Sequence, residues 1–218
     1  MAIDPDLVRS GRTALVINEC QRMVVGDLSF LPQMVEAAKP VVANLGRLAR
    51  AARAADIQVV HCVVKGRADG KGSNQNHRMA GRTRKLRESG VAPDFDPEAA
   101  AEVVPEIGVE PEDLLLTRIH GMSPMSDTGL DPVLRNLGIT TVIAGGVSLN
   151  VGVTNLAMDA MNRGYDVVVP RDAAAGVPPE YGEAILANTL SLISRLTTTD
   201  ELVQIWEKAA QGADSSGS

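Results

Sequence analysis

Short runs of apolar, mostly β-branched residues recur along this chain, separated by stretches whose apolar residues come at helical spacing. That alternation leaves few architectures open. The strand-like runs are 13–18, 57–64, 114–117, 140–144 and 165–169, with a shorter one at 195–198. In the first, Ala14, Leu15, Val16 and Ile17 are consecutive, the pattern of a strand covered on both faces. Between the first two runs, Val35, Ala38, Val42, Leu45, Leu48, Ala49 and Ala52 mark one face of a helix over 33–55, and Pro40 is expected to kink it or start it afresh. Asp127 or Thr128 caps a helix containing 132–137, which Gly138 closes. Further helices are expected at 151–163, ending at Gly164, at 180–193, and from the cap Thr199-Asp200-Glu201 to about residue 210. Such an order builds successive right-handed βαβ units. The fold class is therefore α/β: a Rossmann-like three-layer sandwich, with a mostly parallel sheet of about six strands and helices on both faces.

With 218 residues the chain can bury one sizeable core, so 1–218 is expected to be a single domain with a polar lead-in at 1–12 and a disordered tail at 211–218. Aromatics make up only 2%, which leaves Ala, Val, Leu and Ile to fill the interior and favours parallel strands against Ala-rich helices. A net charge of −6 argues against nonspecific binding to nucleic acid or membrane surfaces. The amino terminus lacks a basic and apolar leader, and no apolar run approaches the roughly 20 residues of a membrane span. The expectation is a cytoplasmic protein that meets a small molecule, with no nucleic acid and no membrane partner. Cys20 and Cys62 read as reduced, buried small hydrophobes, and a disulfide between them stays open at this level.

Residues 65–90 differ in kind. They hold Gly66, Gly70, Gly72 and Gly81 among Lys65, Arg67, Lys71, Arg78, Arg82, Arg84, Lys85 and Arg87, without strong periodicity. They read as an excursion over the carboxyl edge of the sheet with a short helix at 82–88, either functional, as long loops in compact domains usually are, or simply solvated. An acidic, Pro-containing stretch at 94–112 follows, with a short helix possible at 97–103.

Open α/β sheets bind ligands outside the carboxyl ends of their strands. Glu19 follows the first strand, Arg118 the third, and the segment from Gly146 to Gly152 the fourth. Burial raises the pKa of such a carboxylate and a nearby guanidinium lowers it again, so Glu19 and Arg118 suit either a buried ion pair or a working acid or base. The turn after the first strand is Glu19-Cys20-Gln21-Arg22-Met23, and Gly145-Gly146 lacks the rest of a dinucleotide fingerprint, so no cofactor is called for. His61, His77 and His120 are widely separated and lack a partner at ligand spacing, so no metal is expected.

The stretch Gly-Val-Ser-Leu-Asn-Val-Gly-Val-Thr at 146–154 resembles the active-site signature of the isochorismatase-like hydrolases, many of which are cysteine hydrolases. There the pattern is Gly-Val, any residue, Thr, Asp or Asn, any residue, then Cys; Gly152 stands at the Cys. The segment 13–21 resembles the family's first strand, with Gln21 matching its Gln and Glu19 its catalytic Asp. The run 114–118 is similar to the strand ending in Thr-Lys, which places Arg118 at the catalytic Lys. Thr154, Asp159, Ala160, 163–169, Asp172, Ala173 and 198–202 follow the family order, so the likeness spans about residues 12–206.

The resemblance implies a mechanism by what is missing. The cysteine route needs a thiolate that attacks a carbonyl, and Gly152 cannot supply one. Cys20 adjoins Glu19 and points elsewhere. In the branch that cleaves the enol-ether bond of isochorismate, the matching residue is also Gly and no covalent intermediate is needed. An acid protonates the enolpyruvyl methylene, water captures the oxocarbenium ion and pyruvate leaves. That chemistry needs a carboxylic acid of raised pKa, a cation for the substrate carboxylates, and room beside the turn. Glu19 is the expected acid or base and Arg118 the anion clamp. The turn from Val147 to Gly152 is the expected pocket floor, with Val147, Ser148 and Asn150 at the substrate. The resemblance also implies a nonproline cis peptide between Val147 and Ser148, at a cost of about 3 kcal/mol. The following helix adds donors for an anion. Gln21, Gln75 and His120 are further substrate-binding candidates, with His77 beside them. The expected protein is a homo-oligomeric hydrolase of a small anionic or amide-like molecule, working without a Cys nucleophile. The alternative is a pseudoenzyme that binds a ligand or assembles without turnover. Ser148 or Thr154 as nucleophile is a further possibility, without a sequence-adjacent base.

Overall fold

A computed structural model describes residues 2–90 and 96–216, with the backbone alone for residues 87 and 212–216. The first two residues of the acidic stretch at 94–112, and 217–218 of the tail, lie outside the described residues. The strands are β1 (Thr13–Asn18), β2 (Gln58–Val64), β3 (Leu114–Arg118), β4 (Thr141–Val147), β5 (Asp166–Pro170), β6 (Ala174–Ala175) and β7 (Arg195–Thr197). The α-helices are α1 (Arg22–Val25), α2 (Pro32–Ala54), α3 (Arg78–Glu88), α4 (Pro97–Ala101), α5 (Leu130–Asn136), α6 (Thr154–Asn162), α7 (Pro179–Ile185), α8 (Ser191–Ile193) and α9 (Thr199–Ser216).

Among the described residues the strands form one parallel sheet in the order β3-β2-β1-β4-β5-β7, with β6 paired to the end of β4. The continuous apolar runs explain the layering. In β1, Leu15 and Ile17 enter a core shared with α2 and α9, while Ala14 and Val16 enter the opposite core with α5 and α6. Each fully buried aliphatic side chain contributes roughly 1.5–3 kcal/mol, and both faces of β1 collect it.

Several local outcomes differ from expectation. α2 runs unbroken through Pro40. Pro40 lies on the exposed face, as does Glu36, whose carbonyl it cannot serve. The polar lead-in is docked on the core: Val8 is buried and its carbonyl accepts from Trp206 Nε1 at 2.8 Å. The expected tail continues α9 through Ser216. Helix 151–163 begins earlier, as a π-helical turn over Leu149–Val153 that passes into α6, and a second π turn, Leu186–Leu190, joins α7 to α8. Thr128 rather than Asp127 serves the start of α5, its Oγ1 accepting from the Leu130 amide at 3.2 Å.

β4 extends to Val147 through two glycines, three residues past the expected end. A Cβ on Gly146 would lie 2.2 Å from the Asn18 carbonyl oxygen, so only glycine lets β4 close on β1 there. From β1 the chain order runs to β2 on one side and β4 on the other. The crevice at the carboxyl ends of β1 and β4 is thus the topological switch point, where doubly wound sheets place their ligands.

Candidate active site

Glu19 is the first residue past β1, held at φ 56° while its amide donates to the Cys62 carbonyl at 2.9 Å. Across the crevice Ser148, the first residue past β4, is also left-handed, at φ 61° and ψ 47°. Left-handed conformations cost non-glycine residues about 1–3 kcal/mol each and persist where the surroundings fix them, commonly at functional sites. The Val147–Ser148 peptide is trans, and among the described residues the cis bond is Val177–Pro178. The expected cis peptide is therefore absent, and Ser148 stands in the left-handed region ahead of the π turn.

The two strand ends bring their side chains together with the end of β3. Arg118 Nη2 donates to Glu19 Oε1 in a close ion pair, and also to the Met122 carbonyl at 3.4 Å. Ser148 Oγ donates to Glu19 Oε2 at 3.4 Å. Side-chain exposure is 3% for Arg118 and 13% for Glu19, so the pair is largely cut off from water. Burial pushes the Glu19 carboxyl above the ordinary carboxylate range, and the Arg118 charge and hydrogen bond and the Ser148 hydroxyl offset only part of that. Arg118 Nε and Nη1 are buried with no hydrogen-bond partner. Two free N–H faces of a buried guanidinium suit an acceptor from outside the chain, a carboxylate or carbonyl oxygen above all.

The remaining expected residues divide. Val147 is buried, and its carbonyl accepts from Asn18 Nδ2 at 3.0 Å. Asn150 is half-buried on the π turn, its Oδ1 3.3 Å from where a Cβ on Gly176 would stand. Gly152 is buried, and the space its side chain would take is filled by the Asn18 amide, so the expected room beside the turn is absent there. The Gln21 amide is fully buried and engaged with backbone: Nε2 donates to the carbonyls of Val64 and Ala100, and Oε1 accepts from the Val64 amide. In this geometry it ties the end of β1 to β2 and α4.

Gln75 and His120 are exposed on separate loops. His77 caps α3, its Nδ1 accepting from the Ala80 amide at 3.1 Å, and His61 Nε2 pairs with Asp113 at 3.0 Å. The excursion does reach the loop after β3: Asn74 Oδ1 accepts from the Gly121 amide at 2.9 Å. Thr154 Oγ1 is engaged with the Leu149 carbonyl at 2.5 Å. Cys20 and Cys62 are buried, unbridged thiols; burial pushes both up in pKa, Cys62 to about 12. Neither is a ready thiolate at neutral pH. Asn18 was not among the expected site residues; its one signal is a polar side chain closing an otherwise apolar run.

A family model for the isochorismatase domain matches residues 13–201. The chain belongs to the isochorismatase family. Among curated relatives, an isochorismatase family protein YwoC of Bacillus subtilis (strain 168) is 35% identical over 104 residues, 48% of this chain and 54% of that protein. A ureidoacrylate amidohydrolase RutB of Pseudomonas syringae pv. syringae (strain B728a) is 26% identical over 95% of this chain and 89% of its own length. Of solved structures, an isochorismatase family protein from Burkholderia thailandensis superposes with a TM-score of 0.75 at 26% identity, covering 94% of this chain and 98% of that one. A cysteine hydrolase from Pseudomonas syringae pv. phaseolicola 1448A has the same fold, with a TM-score of 0.78 at 24% identity over 96% of each chain. Membership makes the chain a hydrolase by family. Among the described residues no helix is long and apolar enough to cross a membrane.

Proposed function

We propose that this isochorismatase-family hydrolase cleaves a small substrate in which a carboxylate accompanies an amide, ureido or enol-ether bond, and that it does so without a cysteine nucleophile. The observation that carries this is the buried Glu19–Arg118 pair, whose guanidinium keeps two N–H groups without a protein partner. Arg118 holds the substrate oxygen through those groups and stays charged throughout. Glu19, with its carboxyl pushed up by burial, moves the proton: to the carbon of an enol ether, or from the attacking water to the leaving nitrogen of an amide. Ser148 orients the carboxyl from the other strand end. Gly152 offers no side chain to attack, and water is the nucleophile. The relatives named ureidoacrylate amidohydrolase support an amide or ureido bond beside a carboxylate.

Product release from a panel of ureido acids, carboxylate-bearing amides and enol ethers, followed by mass spectrometry, tests the reading. Turnover by the wild type, reduced about 10²-fold or more in a folded Glu19→Gln variant, is expected. Binding of panel compounds without turnover favours the pseudoenzyme, for which the departures at Glu19, Arg118 and Gly152 speak; equal turnover by Glu19→Gln removes Glu19 from the mechanism.

A further inference from the structure

The side chain absent from position 152 has its counterpart one residue before Glu19. A Cβ built on Gly152 would lie 2.5 Å from Asn18 Nδ2, nearer than real Cβ contacts come, and 3.7 Å from the Met122 carbonyl oxygen that Arg118 touches. A side chain at 152 would therefore run into the Asn18 carboxamide, beside the Met122 carbonyl that accepts from Arg118. The amide is not a loose end. Asn18 is 0% exposed and its Nδ2 is fixed on the Val147 carbonyl at 3.0 Å, the last residue of β4. Its Oδ1 is buried with no hydrogen-bond partner. A buried acceptor left open is destabilising, a cost that a purely structural side chain at this place has no reason to carry.

We infer that Asn18 determines which chemistry the crevice can perform: its carboxamide occupies the volume of a nucleophile at 152, so that positions 18 and 152 form one steric unit. Clearing Asn18 opens the space for a side chain at 152, and a thiol placed there stands beside the Met122 carbonyl that Arg118 also touches. The inference rests on reading the crevice as the hydrolase site, but the packing it invokes is measurable without a substrate.

Two sets of variants test it, one with Ala and one with Cys at 152. Gly152→Ala is expected to lower Tm by about 5 °C through overpacking. Asn18→Ala is expected to lower it separately, through loss of the Val147 bond, and the double variant to be clearly more stable than the two shifts summed. In the second set iodoacetamide is the probe, with sites of labelling located by peptide mass spectrometry. Cys20 and Cys62, both 2% exposed, supply the slow baseline. Cys at 152 in the Asn18→Ala background is expected to label at least tenfold faster than either native thiol, and in the Asn18 background at the baseline rate.

Additive Tm shifts in the Ala set, or equal labelling of Gly152→Cys with and without Asn18, overturn the inference by showing that the amide swings aside. Since neither readout depends on turnover, an inert substrate panel would count against the hydrolase reading and leave this result standing.

Discussion

At the residue scale the crevice turns on one carboxyl group. Glu19 is buried beside a guanidinium, and burial wins over the charge, so its pKa lies above 4.5 in the folded protein. The sign of the consequence follows from linkage. With a folded pKa above the unfolded value, the native state binds more protons in the window between them, and stability falls as pH rises through that window. The contribution is whole below pH 4.5 and lost above the raised pKa. Urea denaturation of wild type and Glu19→Gln at a series of pH values is expected to give a difference that moves against the wild type as pH climbs from 4.5, by up to about 1.4 kcal/mol per pH unit. A pH-independent difference would place the Glu19 carboxyl in the ordinary range.

At the scale of elements, the sheet keeps its polar structure at two ends with separate tasks. The carboxyl ends of β1, β3 and β4 hold the crevice. Toward the amino end of β3, the Asp113 side chain is 1% exposed and accepts from Arg53 Nε at 3.1 Å and Nη2 at 2.6 Å on α2, from the Glu110 amide at 3.0 Å, and from His61 on β2. Burial by itself would raise this carboxyl, but those donors hold it below the usual range, while burial lowers His61. This network clamps α2 to the edge of the sheet and touches nothing in the crevice. Asp113→Ala removes the carboxylate from Arg53 and His61, leaving Arg53 the Gly108 carbonyl alone, and is expected to cost about 3–5 kcal/mol in urea denaturation, with kcat/KM of the folded fraction within twofold of wild type. A large loss of kcat/KM at unchanged stability would show the two ends to be coupled.

Over the whole molecule, much of the fold was legible because the interior strands are continuous apolar runs bounded by helix caps and glycines. β6 was not: Ala174–Ala175 is too short to show any period, and it forms because the end of β4 offers an open edge. Pro40 does not start a helix afresh, since on an exposed helix face the ring and the missing N–H are tolerated within the continuing α2. That Glu19, Arg118 and Ser148 meet was legible in the sequence, because the carboxyl ends of neighbouring parallel strands lie side by side whatever their side chains. The division of labour among the rest was not. Gln21 looks the same in sequence whether its amide faces a ligand or holds three backbone groups, and Asn18 reads as the last residue of a strand until the space beside Gly152 is seen.

Hydrolysis without a cysteine nucleophile has a direct test, because the chain has only two cysteines. Turnover of the best substrate from the panel of ureido acids, amides and enol ethers should be measured in the folded double variant Cys20→Ala, Cys62→Ala. Wild-type kcat, within a few-fold, is the expected result. A folded double variant that has lost turnover, or a wild type inert toward every member of the panel, would contradict the account.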